Sequence, residues 1–221
     1  MKPACLKREQ KQPARTSGPV VHIGAIMSAR RVLIGTPAHA WSTGVHYTWC
    51  YGETIRVLTQ AGIDVHGLFP PGESLIQKAR NELIRDALKH NFDDLIFIDG
   101  DQEWKPEWVL RLLIHPVHCV GGAVIKKTEE AELYNVHSSV SPIPVDQTTG
   151  LLIVKGLGTG FLRLSRHAME TLWNKSEPYQ DDSGKVARWI FDVGAVGGRL
   201  VSEDIMLGAK LRVEGINVFL D

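Results

Sequence analysis

The spacing of hydrophobic positions changes from segment to segment along the chain and predicts alternating strands and helices. Val32–Thr36 is a short β-rich run. Val45–Ala61 reads as a helix, with Ser42 or Thr43 as candidate N-cap and Gly62 just past its end. Ile63–Phe69 reads as a strand. Ser74 opens a second helix, where Ser74-x-x-Gln77 fits a capping box. Its apolar residues Leu75, Ile76, Ala79, Leu83, Ala87 and Leu88 fall at helical spacing. Leu95–Ile98 is a continuous apolar run, as expected of a strand covered on both faces. Pro106 fits the first turn of a helix ending near His115, and Val117–Ile125 is a further strand candidate. Three βα units in succession predict a parallel sheet with helices on both faces.

The second half has a different texture. His137–Gly150 lacks periodicity and is expected to be a loop. Leu151–Val154 and Phe161–Leu164 read as strands, and Ser165–Trp173 as a helix. Tyr179–Arg199, with small residues near Gly194–Gly198 and the adjacent acids Asp181 and Asp182, has the length of a lid or binding loop. Ser202 caps a helix running to Val213, and Ile216–Leu220 is a final strand. No internal repeat is visible.

Composition narrows the class. Of 221 residues, 43% are hydrophobic and 23% charged, which excludes a disordered, collagen-like or coiled-coil chain. Cys5, Cys50 and Cys119 form no CxxC pair, so a disulfide framework or cysteine zinc site is not expected, and a cytoplasmic location is. The most apolar stretch, Val109–Ile125, is broken by Arg111, His115, Pro116 and His118 and falls short of the ~18 residues of a membrane span. Net charge is zero but uneven. Residues 1–31 hold seven basic residues and one acid, and the remainder 18 basic against 24 acidic, a net of −6. The acidic folded part disfavours broad nucleic-acid binding. Residues 1–30 read as a basic aperiodic head, and Met27, just ahead of the first strand, is a candidate start.

Candidate chemistry concentrates in three places. Leu95-Ile96-Phe97-Ile98-Asp99-Gly100-Asp101 ends a buried strand in two carboxylates at i and i+2, beyond which an open α/β sheet binds its ligands. Two hard oxygen donors suit Mg²⁺ or Mn²⁺ completed by a diphosphate. A strand ending in an Asp-Gly turn gives the same pattern. Ser202-Glu203-Asp204 places two acids in a first helical turn, where the helix dipole favours them with or without a general-base role. Arg80 and Asn81 interrupt the apolar face of the second helix, either as a solvated face or as a contact to phosphate or acid. Gly156-Leu157-Gly158-Thr159-Gly160-Phe161 precedes a strand, where a dinucleotide loop needs a helix, so close backbone approach explains it better. His115-Pro116-Val117-His118 lacks an acidic third partner for a metal.

Taken in order, Ile34-Gly35-Thr36-Pro37, Ala79-Arg80-Asn81-Glu82-Leu83 and Phe97-Ile98-Asp99-Gly100-Asp101 resemble glycosyltransferases of the GT-A fold. Gly121-Gly122 with Lys126-Lys127, Gly158-Thr159-Gly160-Phe161 and Ser202-Glu203-Asp204 continue the series. The likeness is to family-2-like enzymes common in bacteriophage and uncultured-virus genomes, and it covers residues 32–221. It implies an α/β fold with a mixed, mostly parallel sheet flanked by helices. By the resemblance, Thr36 and Pro37 border the nucleotide base, and Arg80 and Asn81 the nucleotide pocket. Asp99 and Asp101 form the DxD pair that holds Mn²⁺ or Mg²⁺ on the diphosphate. Gly158, Thr159, Gly160 and Phe161 line the sugar and acceptor cleft. Asp204, beside Glu203, matches the catalytic base of inverting members. The family usually continues to a metal-binding histidine after its last strand. This chain stops at Asp221, so truncation is expected.

The reading is a metal-dependent glycosyltransferase moving a sugar from a nucleotide-diphosphate donor to an acceptor hydroxyl. The acceptor can be a glycan, a modified DNA base, a protein or a small molecule. A non-catalytic sugar-nucleotide or glycan-binding module is the alternative. A haloacid-dehalogenase-like phosphatase also uses DxD after a strand, but there the acids follow the first strand and precede Thr; here they precede Gln102.

Overall fold

Strand β1 (Arg31–Gly35) leads through helix α1 (Val45–Gln60) to β2 (Asp64–Leu68), and α2 (Ile76–Lys89) leads to β3 (Asp94–Ile98). Helix α3 (Pro106–Ile114) precedes β4 (Cys119–Gly121). Then follow β5 (Val136–His137), β6 (Leu152–Val154), β7 (Gly156–Leu157), β8 (Phe161–Ser165) and α4 (Arg166–Lys175). The chain continues through β9 (Pro178–Gln180), β10 (Val186–Arg188), β11 (Gly194–Val196) and β12 (Arg199–Val201) to α5 (Glu203–Val213) and β13 (Val218–Leu220). This computed structural model describes residues 30–38, 42–125, 133–181 and 183–221. The basic head as far as residue 29, Met27 included, together with Lys126, Lys127 and Asp182, lies outside the described residues.

Seven strands form one sheet in the order β2-β1-β3-β8-β4-β13-β6. The β1–β2, β1–β3 and β4–β13 pairs are parallel; β8 runs antiparallel to both β3 and β4, and β6 antiparallel to β13. Five strands therefore point one way and two the other, the mixed, mostly parallel sheet expected. Strand residues alternate between its faces. Leu33, Leu95 and Phe97 pack with Leu83, Ile84, Met169, Leu172, Leu207 and Leu211 from α2, α4 and α5. Val32, Ile34, Ile96 and Ile98 pack with Tyr47, Leu58, Val109 and Leu112 from α1 and α3. The result is a three-layer α/β sandwich of GT-A-like form.

Local signals are met in part. Pro106 opens α3 as expected, while Ser165, expected inside its helix, is the N-cap of α4 and accepts from the Ala168 amide. The expected caps of α1 and α2 differ. Gly44, not Ser42 or Thr43, is the N-cap of α1. Leu75, not Ser74, is the N-cap of α2, and the Glu73 carboxylate accepts the Leu75 amide at 3.0 Å. Leu75 itself is exposed, while Arg80 and Asn81 are buried, so the covered face of α2 is rotated from the apolar stripe. Ser202 occupies the N-cap position of α5 without a side-chain cap bond. The Tyr179–Arg199 segment, expected as a loop, folds into the β9–β10 hairpin and the first strand of the β11–β12 hairpin. His115 and His118 diverge: one ring approaches Asp221 and the other Ser165.

Two charge clusters brace the fold, one in the central sheet and one between the β9–β10 hairpin and α2. Asp94, fully buried at the start of β3, receives the Arg163 Nε at 2.6 Å and Nη2 of Arg30 at 2.9 Å. Arg163 also donates to the Leu112 and His115 carbonyls at 3.1 Å. This explains an arginine in the middle of an otherwise apolar strand. At the β9–β10 turn, Asp181 accepts from the Ser183 hydroxyl, the Lys185 and Ser183 amides and Arg85 Nη1. These bonds, the Ser183 hydroxyl foremost, hold its carboxyl well below the usual carboxylate range. A depressed native pKa stabilises the ionised form, so the contribution is complete above the unfolded value and is lost as pH falls toward the native one. Protection of the Lys185 amide against hydrogen exchange, corrected for intrinsic rate, should fall between about pH 5 and about pH 2. The same titration in Asp181→Asn should show no such step.

Candidate active site

The strands β1 and β3 end at Thr36-Pro37 and Asp99-Gly100-Asp101, and the acid site is built at these carboxyl ends. Arg80 reaches it from α2. Its Nη2 donates to Asp99 Oδ1 at 3.0 Å and Oδ2 at 3.3 Å, its Nη1 to Glu203 Oε1 at 3.0 Å, and Asp204 Oδ1 lies 3.7 Å from Nη1. One guanidinium, with a side chain only 3% exposed, thus ties the DxD turn to the first turn of α5. Its Nε is buried with no hydrogen-bond partner among the described residues. Its Cζ stands 5.8 Å from the centroid of the Phe191 ring, a cation–π distance.

Asn81 plays a different part from the nucleotide contact expected of it. It is fully buried, donating to the Phe191 carbonyl at 3.2 Å and accepting the Phe191 amide at 2.7 Å. The neighbouring pair therefore divides its work: Arg80 enters the acid site, and Asn81 fixes the aromatic ring that backs Arg80. Thr36 also turns inward. It is fully buried, hydrogen-bonded through its hydroxyl to the Tyr47 phenol, so its side chain does not border a nucleotide pocket. Burial pushes the Tyr47 phenol far above its ordinary value, which keeps that partner protonated. Pro37 does face an open cleft of about 490 Å³, shared with Thr43, Gly44, Ile76, Asp99 and Asp101.

Asp204 is held from three directions. Oδ1 accepts the Thr159 amide at 3.2 Å and the Thr159 hydroxyl at 2.8 Å, and Oδ2 accepts Asn135 Nδ2 at 3.0 Å. A carboxylate offers about four acceptor positions, so one remains, on Oδ2. Thr159 is buried and serves as an anchor for Asp204 and not as an open cleft wall. Asn135 was not singled out by sequence. The β5–β7 pairing brings it beside Gly158, and His137 Nε2 lies 3.0 Å from its Oδ1. The glycines permit this closeness. A Cβ at Gly158 would sit 2.5 Å from Asn135 Nδ2, and one at Gly160 would sit 3.0 Å from Asp99 Oδ2. Gly208 lets α5 approach the strand below, since a Cβ there would lie 2.2 Å from the Lys155 carbonyl oxygen.

The structure therefore brings Arg80, Asp99, Glu203, Asp204, Thr159 and Gly160 together, with Asp101 on the adjoining turn. Gln102 Nε2 donates to Asp101 Oδ1 at 3.0 Å. Among the described residues no group of three or more His, Cys, Asp or Glu side chains is arranged to hold a metal. The donor set still fits a hard cation: Mg²⁺ usually takes one or two carboxylates and fills the rest from substrate phosphates and water. Asp99 and Asp101 both line the open cleft, which puts both carboxylates within reach of a cation held there.

No family model matches the chain, and no curated protein sequence matches it. Among solved structures the chain is similar to A197 from STIV, a crystal structure, with 16% identity and a TM-score of 0.52. The match covers 86% of this chain and 81% of that one. At this identity the likeness is one of fold, a mixed α/β sheet flanked by helices. No helix among the described residues is long and apolar enough to cross a membrane.

Proposed function

We propose that this chain is a metal-dependent glycosyltransferase that moves a sugar from a nucleotide-diphosphate donor to an acceptor hydroxyl, working in a cytoplasmic compartment. The observation that carries the reading is the buried Arg80, which joins the first acid of a DxD turn to an acid pair at a helix start, beside an open cleft. In the proposed reaction the acceptor oxygen attacks the anomeric carbon. The bond from that carbon to the phosphate oxygen breaks, and its electrons leave with the nucleoside diphosphate. Asp204 takes the acceptor proton at the open position of Oδ2. Arg80 keeps Asp99 and Glu203 in register and adds positive charge near the leaving group. Mn²⁺ or Mg²⁺, when bound through Asp101 and Asp99, supplies Lewis-acid neutralisation of the departing diphosphate.

A non-catalytic sugar-nucleotide-binding module is favoured by one observation. Three of the four acceptor positions on Asp204 are already filled from within the protein. Donor binding is common to both readings, and turnover separates them.

Donor binding is tested first. Thermal stabilisation of the full chain by nucleoside diphosphates should require Mn²⁺ and should disappear in Asp101→Asn, which keeps the shape but removes a charge. Equal Mn²⁺-dependent stabilisation in both proteins would overturn the metal assignment.

A further inference from the structure

A second cavity, of about 250 Å³, is lined by residues that directly follow Asp101 and Gly160 in the chain and shares no lining residue with the cleft at Pro37 and Asp101. The two chain segments that frame Asp99 run on into its walls. Gln102, Glu103 and Trp104 continue directly from Asp101, and Phe161 follows Gly160, whose carbonyl accepts the Asp99 amide at 3.1 Å. From this position and the chemistry of its walls, we propose that the cavity is the acceptor subsite and that it takes one neutral, hydroxyl-rich ring, the pyranose of a carbohydrate acceptor. The assignment rests on the glycosyltransferase reading for the word acceptor, but the binding chemistry stands on the cavity alone.

The walls are of two kinds. Trp108, Trp104 and Phe161 supply aromatic surface. Trp104 is a fixed part of the fold, its indole nitrogen donating to Thr54 Oγ1 at 2.8 Å. Trp108 differs. Its helix neighbours Val109 and Leu112 are buried, yet Trp108 is 47% exposed. Lys105 Nζ stands 6.0 Å from the centroid of this ring, and the exposed remainder of the indole is apolar surface open to a ligand. Opposite in character are Glu103, Arg111 and Asp221. Arg111 Nη2 reaches Asp221 Oδ1 at 2.6 Å, and His115 Nε2 lies 3.3 Å from Asp221 Oδ2. Asp221 is largely buried and positioned by its amide bond to the Gly121 carbonyl. Two contacts leave acceptor capacity on a carboxylate with about four sites.

Shape and charge select among ligands. The volume lies below the ~300–1,000 Å³ of drug-sized sites, which suits a single ring. Two carboxylates face one guanidinium in the lining, and the Lys105 ammonium stands 6.0 Å from the centroid of the Trp108 ring, so the charges balance and give phosphate no net attraction, while residues 32–221 carry a net of −6. Those features repel a polynucleotide acceptor. A pyranose has an apolar face of C–H bonds and a rim of hydroxyls. The face matches an indole, and the hydroxyls match carboxylate and guanidinium groups.

Saturation-transfer NMR on the full chain, without donor or metal, tests this directly. The probes are methyl glycosides of glucose, galactose, mannose and N-acetylglucosamine, and 2′-deoxynucleosides. At least one methyl glycoside should receive saturation from the wild type. The signal should be lost in Trp108→Ala, retained in Trp108→Phe, and unchanged in Asp101→Asn. Trp108 is half-exposed, so both variants should keep the wild-type unfolding temperature within a few degrees, which the same samples report. Saturation of deoxynucleosides alone, of no probe, or of glycosides equally in Trp108→Ala and wild type would overturn the assignment. The Mn²⁺–nucleotide stabilisation is a separate measurement, so loss of the donor reading and loss of this subsite are distinguishable.

Discussion

Asp204→Asn should lower kcat by about 10²–10⁴-fold, the range for loss of a general base, with little change in donor affinity. The asymmetry follows from what each acid touches. Asp204 makes no contact with the cleft at Pro37 and Asp101; its partners are Thr159, Asn135 and, at 3.7 Å, Arg80. Donor affinity should instead follow Asp101, which lines that cleft. Release of nucleoside diphosphate from a nucleotide sugar, with water as a surrogate acceptor, measures turnover before an acceptor is identified. Glu203→Gln is the comparison. Glu203 accepts from Arg80 through Oε1, so its loss should loosen Arg80 and reduce both affinity and rate moderately. If Glu203→Gln abolishes turnover while Asp204→Asn retains it, the two acids exchange roles, and the base is Glu203.

The second large effect is on stability. Asp94→Ala should destabilise the protein by about 3–5 kcal/mol, the cost of removing one partner from a buried ion pair. Asp94 is fully buried and Arg163 is 2% exposed. Removing the carboxylate strands a guanidinium whose remaining partners are neutral carbonyls. Burial already pulls the Arg163 pKa below its ordinary value, against the raising effect of Asp94. Urea unfolding should show the loss as a lower midpoint at unchanged slope. The double variant Asp94→Leu with Arg163→Met should recover part of it, because an apolar pair replaces the two most buried charges and leaves only Arg30, whose side chain is 20% exposed. A triple variant that also carries Arg30→Met and is still as unstable as Asp94→Ala would mean that packing, and not charge, sets the cost.

What could be read from the chain divides along a physical line. Local, one-dimensional signals were legible: the apolar run Leu95–Ile98 as a covered strand, Pro106 as a helix start, Asp99 and Asp101 at a strand's carboxyl end. Features that depend on partners distant in sequence were not. Asn135 binds Asp204 from 69 positions away, inside a stretch with no hydrophobic period to mark it. Asn81 binds Phe191 across 110 positions, so its burial contradicts its polarity until the partner is placed. The insertion of β8 antiparallel between β3 and β4 likewise follows from long-range pairing and has no local signature. The Ser74 capping box is absent because α2 starts one residue later, with Leu75 as its N-cap and the Glu73 carboxylate accepting the Leu75 amide.

The position of β13 has a consequence for how the protein can be assembled or divided. Residues 218–220 sit in the interior of the sheet, between β4 and β6. Until they arrive, both neighbours present bare edges that can pair with other chains. The acid site is equally delayed, since Arg80 meets Glu203 across 123 positions. A ribosome-bound chain that has already emerged past Asp101 therefore holds neither a closed sheet nor a complete site. Expression at lower temperature or with a chaperone should raise soluble yield by protecting that interval. For the same reason, a split-protein reporter cut anywhere between α2 and α5 should be silent until its two pieces meet.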